Sequence, residues 1–426
     1  MRNAKAWLLG AVVAVAAMAN VPDADACGGC FAPPSETTVV TGHKMILSIS
    51  QDRTTLYDQI VYSGDPSSFA WILPVKGVAE VGLSSDALFQ NLGEMTSATI
   101  YSPQCGCGGG FFGGGGSGGE GGGSDVGTVT VVSQKTVGPY ETVQLKSTDP
   151  SALDAWLADH GYAIPTDVQS VIDAYVAGGF DFLALKLVPG KDVKAMRPVR
   201  ITTPGASPVL PLRMVAAGTG ATTPITLWVM GEGRYTTVNL PSFTVDPSLL
   251  VWDWNTSESN YAQLKQSGFA ATQNKGWLVE AAEPFSRYAL EDVLQTLILD
   301  DPTSSGYDPA NPDEELASDM DALFGSISSN ALWITRLNAQ LSRSALGADL
   351  QLGAAPKQTV VQRAFFPTLT VGPDPCGCSS IDDDPLGNSS GGNQSSGCAM
   401  TQGNGAPTLG GLALMAALAF ARRRRR

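Results

Sequence analysis

Few residues in this chain could carry chemistry. Seven cysteines fall as three close pairs, Cys27 with Cys30, Cys105 with Cys107 and Cys376 with Cys378, leaving Cys398 alone. Thiols so spaced can oxidise to disulfides or bind a metal as thiolates. A bridge inside Cys-Gly-Cys would be strained, so pairing between clusters is expected, and six cysteines allow fifteen connectivities. Four of the thiolates could hold zinc, but the spacings are not those of paired two-residue knuckles and neither histidine is near in sequence, so disulfides are the expected chemistry and no metal or other cofactor is predicted. The histidines are His43, in phase with Met45 and Leu47 at a strand start, and His160, beside Gly161 at a helix end where its cation would suit the helix dipole. Either could serve a histidine-based triad, and packing or capping is the commoner role. Glu280 follows Trp277, Leu278 and Val279 on an apolar strand, and once buried it must either stay protonated or meet a cation such as Arg336. Trp252 and Trp254 stand one pleat apart and could form an exposed pair for sugar or peptide. Asp300-Asp301 and Asp382-Asp383-Asp384 lack the alternating ligands and turn glycine of a calcium loop. The run from Gly115 to Gly119, with Ser117 inside it, matches nucleophile-elbow and dinucleotide patterns only because it belongs to a glycine tract without strand-turn-helix context. No recognisable catalytic motif remains.

The elements that must position these residues are legible in part. Residues 128–188 read as one unit of strand, strand, helix, helix, strand, and this unit is expected to organise the rest. Strands at 128–134 and 140–146 alternate, helices at 150–161 and 165–177 are bounded by Asp149-Pro150 and Gly178-Gly179, and 180–188 is an apolar strand. Before it, 43–50 and 54–62 make a hairpin around Gln51-Asp52-Arg53, 69–75 is a strand, and Ser85 caps a helix carrying Leu88, Phe89 and Leu92. After it, strands are expected at 209–215, 224–230 and 235–245, helices at 259–266, 290–298 and 314–324, and a strand at 276–281. Residues 300–313 should be an exposed acidic loop, and 331–341 and 346–352 extended segments that close the domain. Strands in runs with helices inserted in pairs indicate an α+β fold with mostly antiparallel sheets.

Both ends read as addresses. Arg2 and Lys5 precede an apolar run at 6–19, and Ala24-Asp25-Ala26 offers small residues for cleavage before Cys27, so residues 1–26 are predicted to be a secretory signal. A cysteine at the new N-terminus also raises lipidation, although Ala24 stands where that signal expects leucine. An exported domain would then occupy 27–366, with a glycine-rich flexible loop at 106–127, and a Ser/Gly/Asp-rich linker would follow at 367–405. Residues 406–421 are apolar and Arg422, Arg423, Arg424, Arg425 and Arg426 end the chain, which predicts a membrane helix with its arginines inside and the domain outside. Cysteine in a polar spacer, a short apolar helix and an arginine cluster together resemble the myxobacterial-type C-terminal sorting signal. That resemblance implies a processing protease, with Cys398 near the cut or lipid-attachment point; a plain membrane anchor is the simpler alternative. Export makes the compartment oxidising, which supports the disulfides.

The bulk numbers exclude little but exclude it clearly. A chain of 426 residues with 43% hydrophobic content can bury a large core if its 48 glycines cluster outside it. Its net charge of −14 argues against nucleic acid as a partner, because a phosphate backbone would be repelled.

Cys27-Gly-Gly-Cys30-Phe31, the run from Phe69 to Val75, Leu153-x-x-Trp156-Leu157 with Gly161-Tyr162 and Pro165, Phe180-x-Phe182, the run from Val209 to Arg213, and Thr335-Arg336-Leu337 together resemble the bacterial domain-of-unknown-function family numbered 2330. The resemblance covers about 27–366, with the glycine loop as an insertion. It implies an exported domain and supplies no catalytic residues. The sequence therefore predicts an envelope-anchored, outward-facing module that binds an unknown extracellular partner or serves structurally, with the membrane contacted through the C-terminal helix. An exported hydrolase with an unfamiliar site is the alternative.

Overall fold

The computed structural model describes residues 30–31, 39–63, 70–103, 131–146, 155, 166–188, 195–216 and 222–373. Five of the six cysteines expected to form disulfides, His160, the helix at 150–161 apart from residue 155, the glycine loop, both termini and the linker beyond 373 lie outside these residues. The described residues belong to one compact unit, Met1–Cys376.

The strands are β1 (Cys30–Phe31), β2 (Val39–Ile49), β3 (Arg53–Ser63), β4 (Ala70–Val75), β5 (Glu80–Leu83), β6 (Thr99–Ile100), β7 (Val131–Val137), β8 (Tyr140–Leu145), β9 (Asp181–Leu187), β10 (Val199–Pro204), β11 (Val209–Leu210), β12 (Thr222–Glu232), β13 (Tyr235–Thr237), β14 (Ser242–Phe243), β15 (Val251–Asp253), β16 (Glu258–Ser259), β17 (Trp277–Pro284), β18 (Leu332–Ser342), β19 (Leu350–Ala354), β20 (Ala364–Phe365) and β21 (Leu369–Val371). The helices are α1 (Asp86–Thr96), α2 (Thr166–Ala177), α3 (Leu212–Val215), α4 (Tyr261–Ala271), α5 (Arg287–Asp300) and α6 (Pro312–Phe324). The fold is α+β, and most strand pairs are antiparallel; β2 with β12 is a parallel exception.

The organising element is not the 128–188 unit but an eight-stranded sheet in the order β14-β17-β18-β12-β2-β3-β10-β5. Its central strands are buried on both faces, which is why β12 reads Ile-Thr-Leu-Trp-Val-Met with little polar alternation. One face, with Met45, Leu47, Leu56, Leu227 and Val229, packs on a five-stranded sheet of order β1-β4-β9-β8-β7 through Trp71, Leu73, Leu183 and Leu185. The other face, with Ile46, Tyr57, Trp228 and Met230, takes α1, α5 and α6 through Leu88, Phe89, Leu290, Leu294, Met320 and Leu323. α2 covers the outside of the five-stranded sheet with Ile172 and Tyr175 on Ile72 and Phe182. The expected unit is thus one outer layer of helix, sheet, sheet, helix.

Ser85 caps α1 by accepting from the Ala87 amide, as expected from sequence. Gly42 lies at a bulge in β2, and a Cβ there would stand 3.0 Å from the Pro224 carbonyl oxygen. The missing side chain lets β12 close on β2, so that Ile225 pairs with His43.

Four sequence expectations change. The strand at 209–215 stops after two residues, because Pro211 has no amide to give a ladder, and α3 follows with Leu212, Met214 and Val215 buried. The strand at 235–245 divides into β13 and β14 on either side of Pro241. The loop at 300–313 is not wholly exposed, since Ser305 and Tyr307 are buried. The segment 331–341 does not close the domain: β18 lies inside the large sheet between β17 and β12, and 346–352 splits into a 3₁₀ turn at Ala345–Gly347 and β19.

Candidate functional site

His43 and Asp58 lie on neighbouring strands of the β2–β3 hairpin and face the five-stranded sheet. Met45 is the direct partner of Asp58, which makes His43 its diagonal neighbour. His43 Nδ1 sits 3.1 Å from both carboxylate oxygens, with side-chain exposures of 0% and 1%. This is a buried histidine–carboxylate orientation. His43 Nε2 and Thr223 Oγ1 have no partner among the described residues.

Asp58 also lines a cleft of about 430 Å³ with Lys44, Gln59, Trp71, Asp86 and Arg197. A second recess, of about 540 Å³, runs along α1 between Trp228, Glu94 and Arg336, and Lys44, Gln59 and Asp86 line it as well. The two recesses therefore meet at these three residues. Gln59 Nε2 donates to Asp86, which fixes one side of the junction. Lys44 pairs across the strand with Gln59 and makes no ion pair among the described residues. Arg197 is held by Glu315 at 2.6 Å and by the Ser84 carbonyl. The junction thus sets one ammonium without an ion pair among the described residues beside an amide and a carboxylate, with aromatic side chains in the walls.

Glu280 is the extra residue of a bulge in β17, where Val279 pairs with Leu337 and Ala281 with Arg336. Glu280 lies two residues after Leu278 and so shares its face, the one that packs against α4. Lys265 and the Tyr261 hydroxyl reach one oxygen at 2.9 and 3.1 Å; Asn338 donates to the other at 2.8 Å, where Arg336 is also ion-paired at 2.8 Å. Burial would raise the pKa of Glu280, but Lys265 and Arg336 together hold it below its ordinary value. The expected partner Arg336 is therefore present, with a second cation the sequence did not suggest. Arg336 continues to the Gly93 carbonyl at the end of α1, so the group ties helix to sheet.

A third cluster escaped sequence reading. Asp319 on α6 is fully buried and accepts from Arg200 at 2.7 Å, Ser84 at 2.6 Å and Tyr307 at 3.2 Å. Burial pushes its carboxyl up, and Arg200, Ser84 and Tyr307 offset only part of that. Burial likewise raises Tyr57 and Tyr307, with Asp319 adding to both. The available signal was phase: Asp319 shares a helical stripe with Leu316, Met320 and Leu323. With Arg53–Asp321 and Arg197–Glu315, the cluster fastens an acidic helix to arginines of the sheet.

Trp252 and Trp254 do pair, edge to face at 6.1 Å, but both are partly buried. Of the cysteines only Cys30 is described, and its backbone pairs with Trp71. Among the described residues there is no cluster that could hold a metal and no helix long and apolar enough to cross a membrane. Asp301 caps a turn through Thr303.

A family model described as an uncharacterized protein conserved in bacteria (DUF2330) matches residues 21–287. The match ends before β18, although β18 is internal to the large sheet. No curated protein matches the chain. Similar solved structures include a chain of the caspase-8/P35 complex, at 9% identity and TM-score 0.26 over 46% of this chain and 64% of that one. Baculovirus P35 is another, at 12% identity and TM-score 0.27 over 45% and 64%. The chain spans less than two thirds of these proteins, and likeness at this level carries no argument about fold or function.

Proposed function

The chain belongs to the DUF2330 family of uncharacterized bacterial proteins, and on that footing we propose that it is an exported, envelope-anchored module that binds a partner outside the cell. The observation that carries the reading is the junction of the two recesses at Lys44, Gln59 and Asp86, where an ammonium is left unmatched among the described residues. The leader at 1–26 and the apolar, arginine-ended stretch at 406–426 support the location. The partner is a polysaccharide, protein or matrix component with polar groups of both signs. The His43–Asp58 pair is sealed at 0% and 1% exposure and serves as a bridge between strands rather than as a base for a substrate.

A photo-crosslinking side chain at position 44 of the full chain, displayed by its own bacterium, tests this. Crosslinking to an envelope or matrix component at position 44, lost in Asp86→Lys and absent from a probe at Asp173 on α2, is the expected result. A turnover found in ester, amide or glycoside panels and abolished by His43→Gln would reverse the reading in favour of a hydrolase.

A further inference from the structure

Around Glu280 the chain sets an amine, a carboxylate and a carboxamide in a row. Lys265 Nζ on α4 lies 2.9 Å from Glu280 Oε1, and Asn338 Nδ2 on β18 donates to Glu280 Oε2 at 2.8 Å. The order follows from the fold. Asn338 pairs with Leu278 across β17 and β18, Glu280 follows Leu278 by two residues, and α4 packs on that face. An ionised carboxylate only accepts hydrogen bonds, so the nitrogen of Asn338 faces Glu280 and its oxygen faces away. That oxygen accepts from the Thr226 hydroxyl of β12 at 3.0 Å. The Tyr261 hydroxyl donates to Glu280 Oε1 at 3.1 Å, beside Lys265. The Glu280 side chain is 4% exposed and that of Lys265 27%.

Ion pairing accounts for Lys265 and Arg336. It does not account for a carboxamide held by the same carboxylate and polarised at its oxygen by a hydroxyl. Those are the parts of an acyl transfer. There is a nucleophile, a base that touches both nucleophile and leaving group, an electrophilic carbon, and a donor on the oxygen where negative charge develops. Arg336, 2.8 Å from Oε2, favours the ionised form that a base needs, and it remains a partner for Glu280 once Lys265 has reacted. The reaction occurs once per chain, so it needs held proximity rather than turnover.

We propose that Lys265 and Asn338 join in an intramolecular isopeptide bond, with Glu280 as the proton carrier. Glu280 takes one proton from the Lys265 ammonium, and the freed amine attacks Cγ of Asn338. The Nζ–Cγ bond forms, and Thr226 donates to the oxygen that gains the charge. In this adduct both nitrogens sit on one carbon, so one carboxyl reaches both. It gives its proton to Nδ2 and takes the second proton of Nζ. The Cγ–Nδ2 bond breaks, and ammonia leaves with the last proton from Glu280 as ammonium. Lysine ammonium and carboxamide thus become amide and ammonium, with no oxidant, metal or further reactant. Thr226 and Arg336 also line the recess along α1, which gives the ammonia a way out. The bond clamps α4 to β18 across residues 266–337, as a disulfide would, but no reductant opens it.

Tryptic mapping of the full chain by mass spectrometry tests this on the unaltered protein. Trypsin does not cut after an acylated lysine. The expected product is therefore peptide 235–275 joined to peptide 337–343. It should be about 17 Da lighter than its two parts, the mass of ammonia. Free peptides 266–275 and 337–343 with no joined product overturn the proposal, whatever the chain binds and wherever it is displayed. In Glu280→Gln the free peptides should replace the joined one, and a bond formed there as fast as in the parent overturns the role of Glu280. Should that variant fold poorly, Thr226→Val gives a second measurement. The joined peptide should then appear about a hundredfold more slowly after synthesis, the usual loss for one donor to a developing oxyanion. An unchanged rate overturns the acyl-transfer route.

Discussion

Glu280 and Asp319 are both carboxylates removed from water beside the same eight-stranded sheet, and their environments push them in opposite directions. Glu280 meets two cations, Lys265 and Arg336, and its pKa falls below the ordinary value. Asp319 meets one, Arg200, with two neutral hydroxyls, and its pKa rises. Both are richly hydrogen-bonded, so bond count does not separate them. The second cation does, because hydroxyl donors help the charged form less than an ammonium at 2.9 Å can. A buried acid in this fold is thus a knot holding elements together, and its charge state follows the cations the neighbouring strands and helices deliver.

The largest effect should come from removing the deeper knot. Asp319→Ala leaves Arg200, Ser84 and Tyr307 without their acceptor and should cost about 4 kcal/mol in urea unfolding, the usual range for stranding a buried charge. Glu280→Ala should cost less, about 3 kcal/mol, because Lys265 is partly exposed and can turn to water. Asp319→Leu with Arg200→Met should recover most of the loss. A double variant as unstable as Asp319→Ala would show that the cluster does more than balance a charge.

The pH dependence should separate the two by sign. The folded pKa of Glu280 is depressed, so its contribution is present above its ordinary value of 4.5 and is lost as pH falls through the lower folded value. Glu280→Gln should therefore be less acid-sensitive than the parent as pH falls below 4.5. The folded pKa of Asp319 is raised, so its contribution is full below its ordinary value of 3.8 and is lost as pH rises through the higher folded value. Asp319→Asn should lose stability relative to the parent at the acid end and approach it toward neutrality. Parallel curves for the two variants would erase the distinction.

How much of this could be read beforehand depended on distance along the chain. The Glu280–Arg336 pair was legible because an acid ending an apolar strand needs a cation, but the bulge at Glu280 follows from pairing with β18 and has no local mark. The β2–β3 hairpin and the capped α1 were legible from alternation and from Ser85. The rank of the sheets was not: 128–188 is the most regular stretch, yet the centre is assembled from β2, β12 and β18, which are far apart in sequence. Phase within α6 could have marked Asp319 as inward, but no local signal names Arg200, Ser84 and Tyr307 as its partners. The cleft combines β3, the start of β10 and the start of α1, and no stretch of sequence announces it.

A smaller effect is expected on the other face of the sheet. His43 and Asp58 belong to one hairpin and tie no helix to it, so the pair holds less of the fold than either acid knot. His43→Gln keeps a donor near Asp58 at lower volume and should cost about 1–2 kcal/mol, the range for a weakened buried hydrogen bond.

The smallest effect on stability should come from Lys44, and there the comparison turns from structure to function. Its ammonium has no ion-pair partner among the described residues, unlike Arg197 and Arg336 beside it. Lys44→Ala should therefore shift unfolding by no more than about 0.5 kcal/mol. If the junction with Gln59 and Asp86 is where the partner is met, the same substitution should weaken retention of the full chain by its extracellular partner by about tenfold, the cost of one charge-assisted contact. A variant that is stable and fully retained would move the binding surface away from these recesses. One that is unstable would show that Lys44 is another structural cation, and that the junction belongs with the two knots.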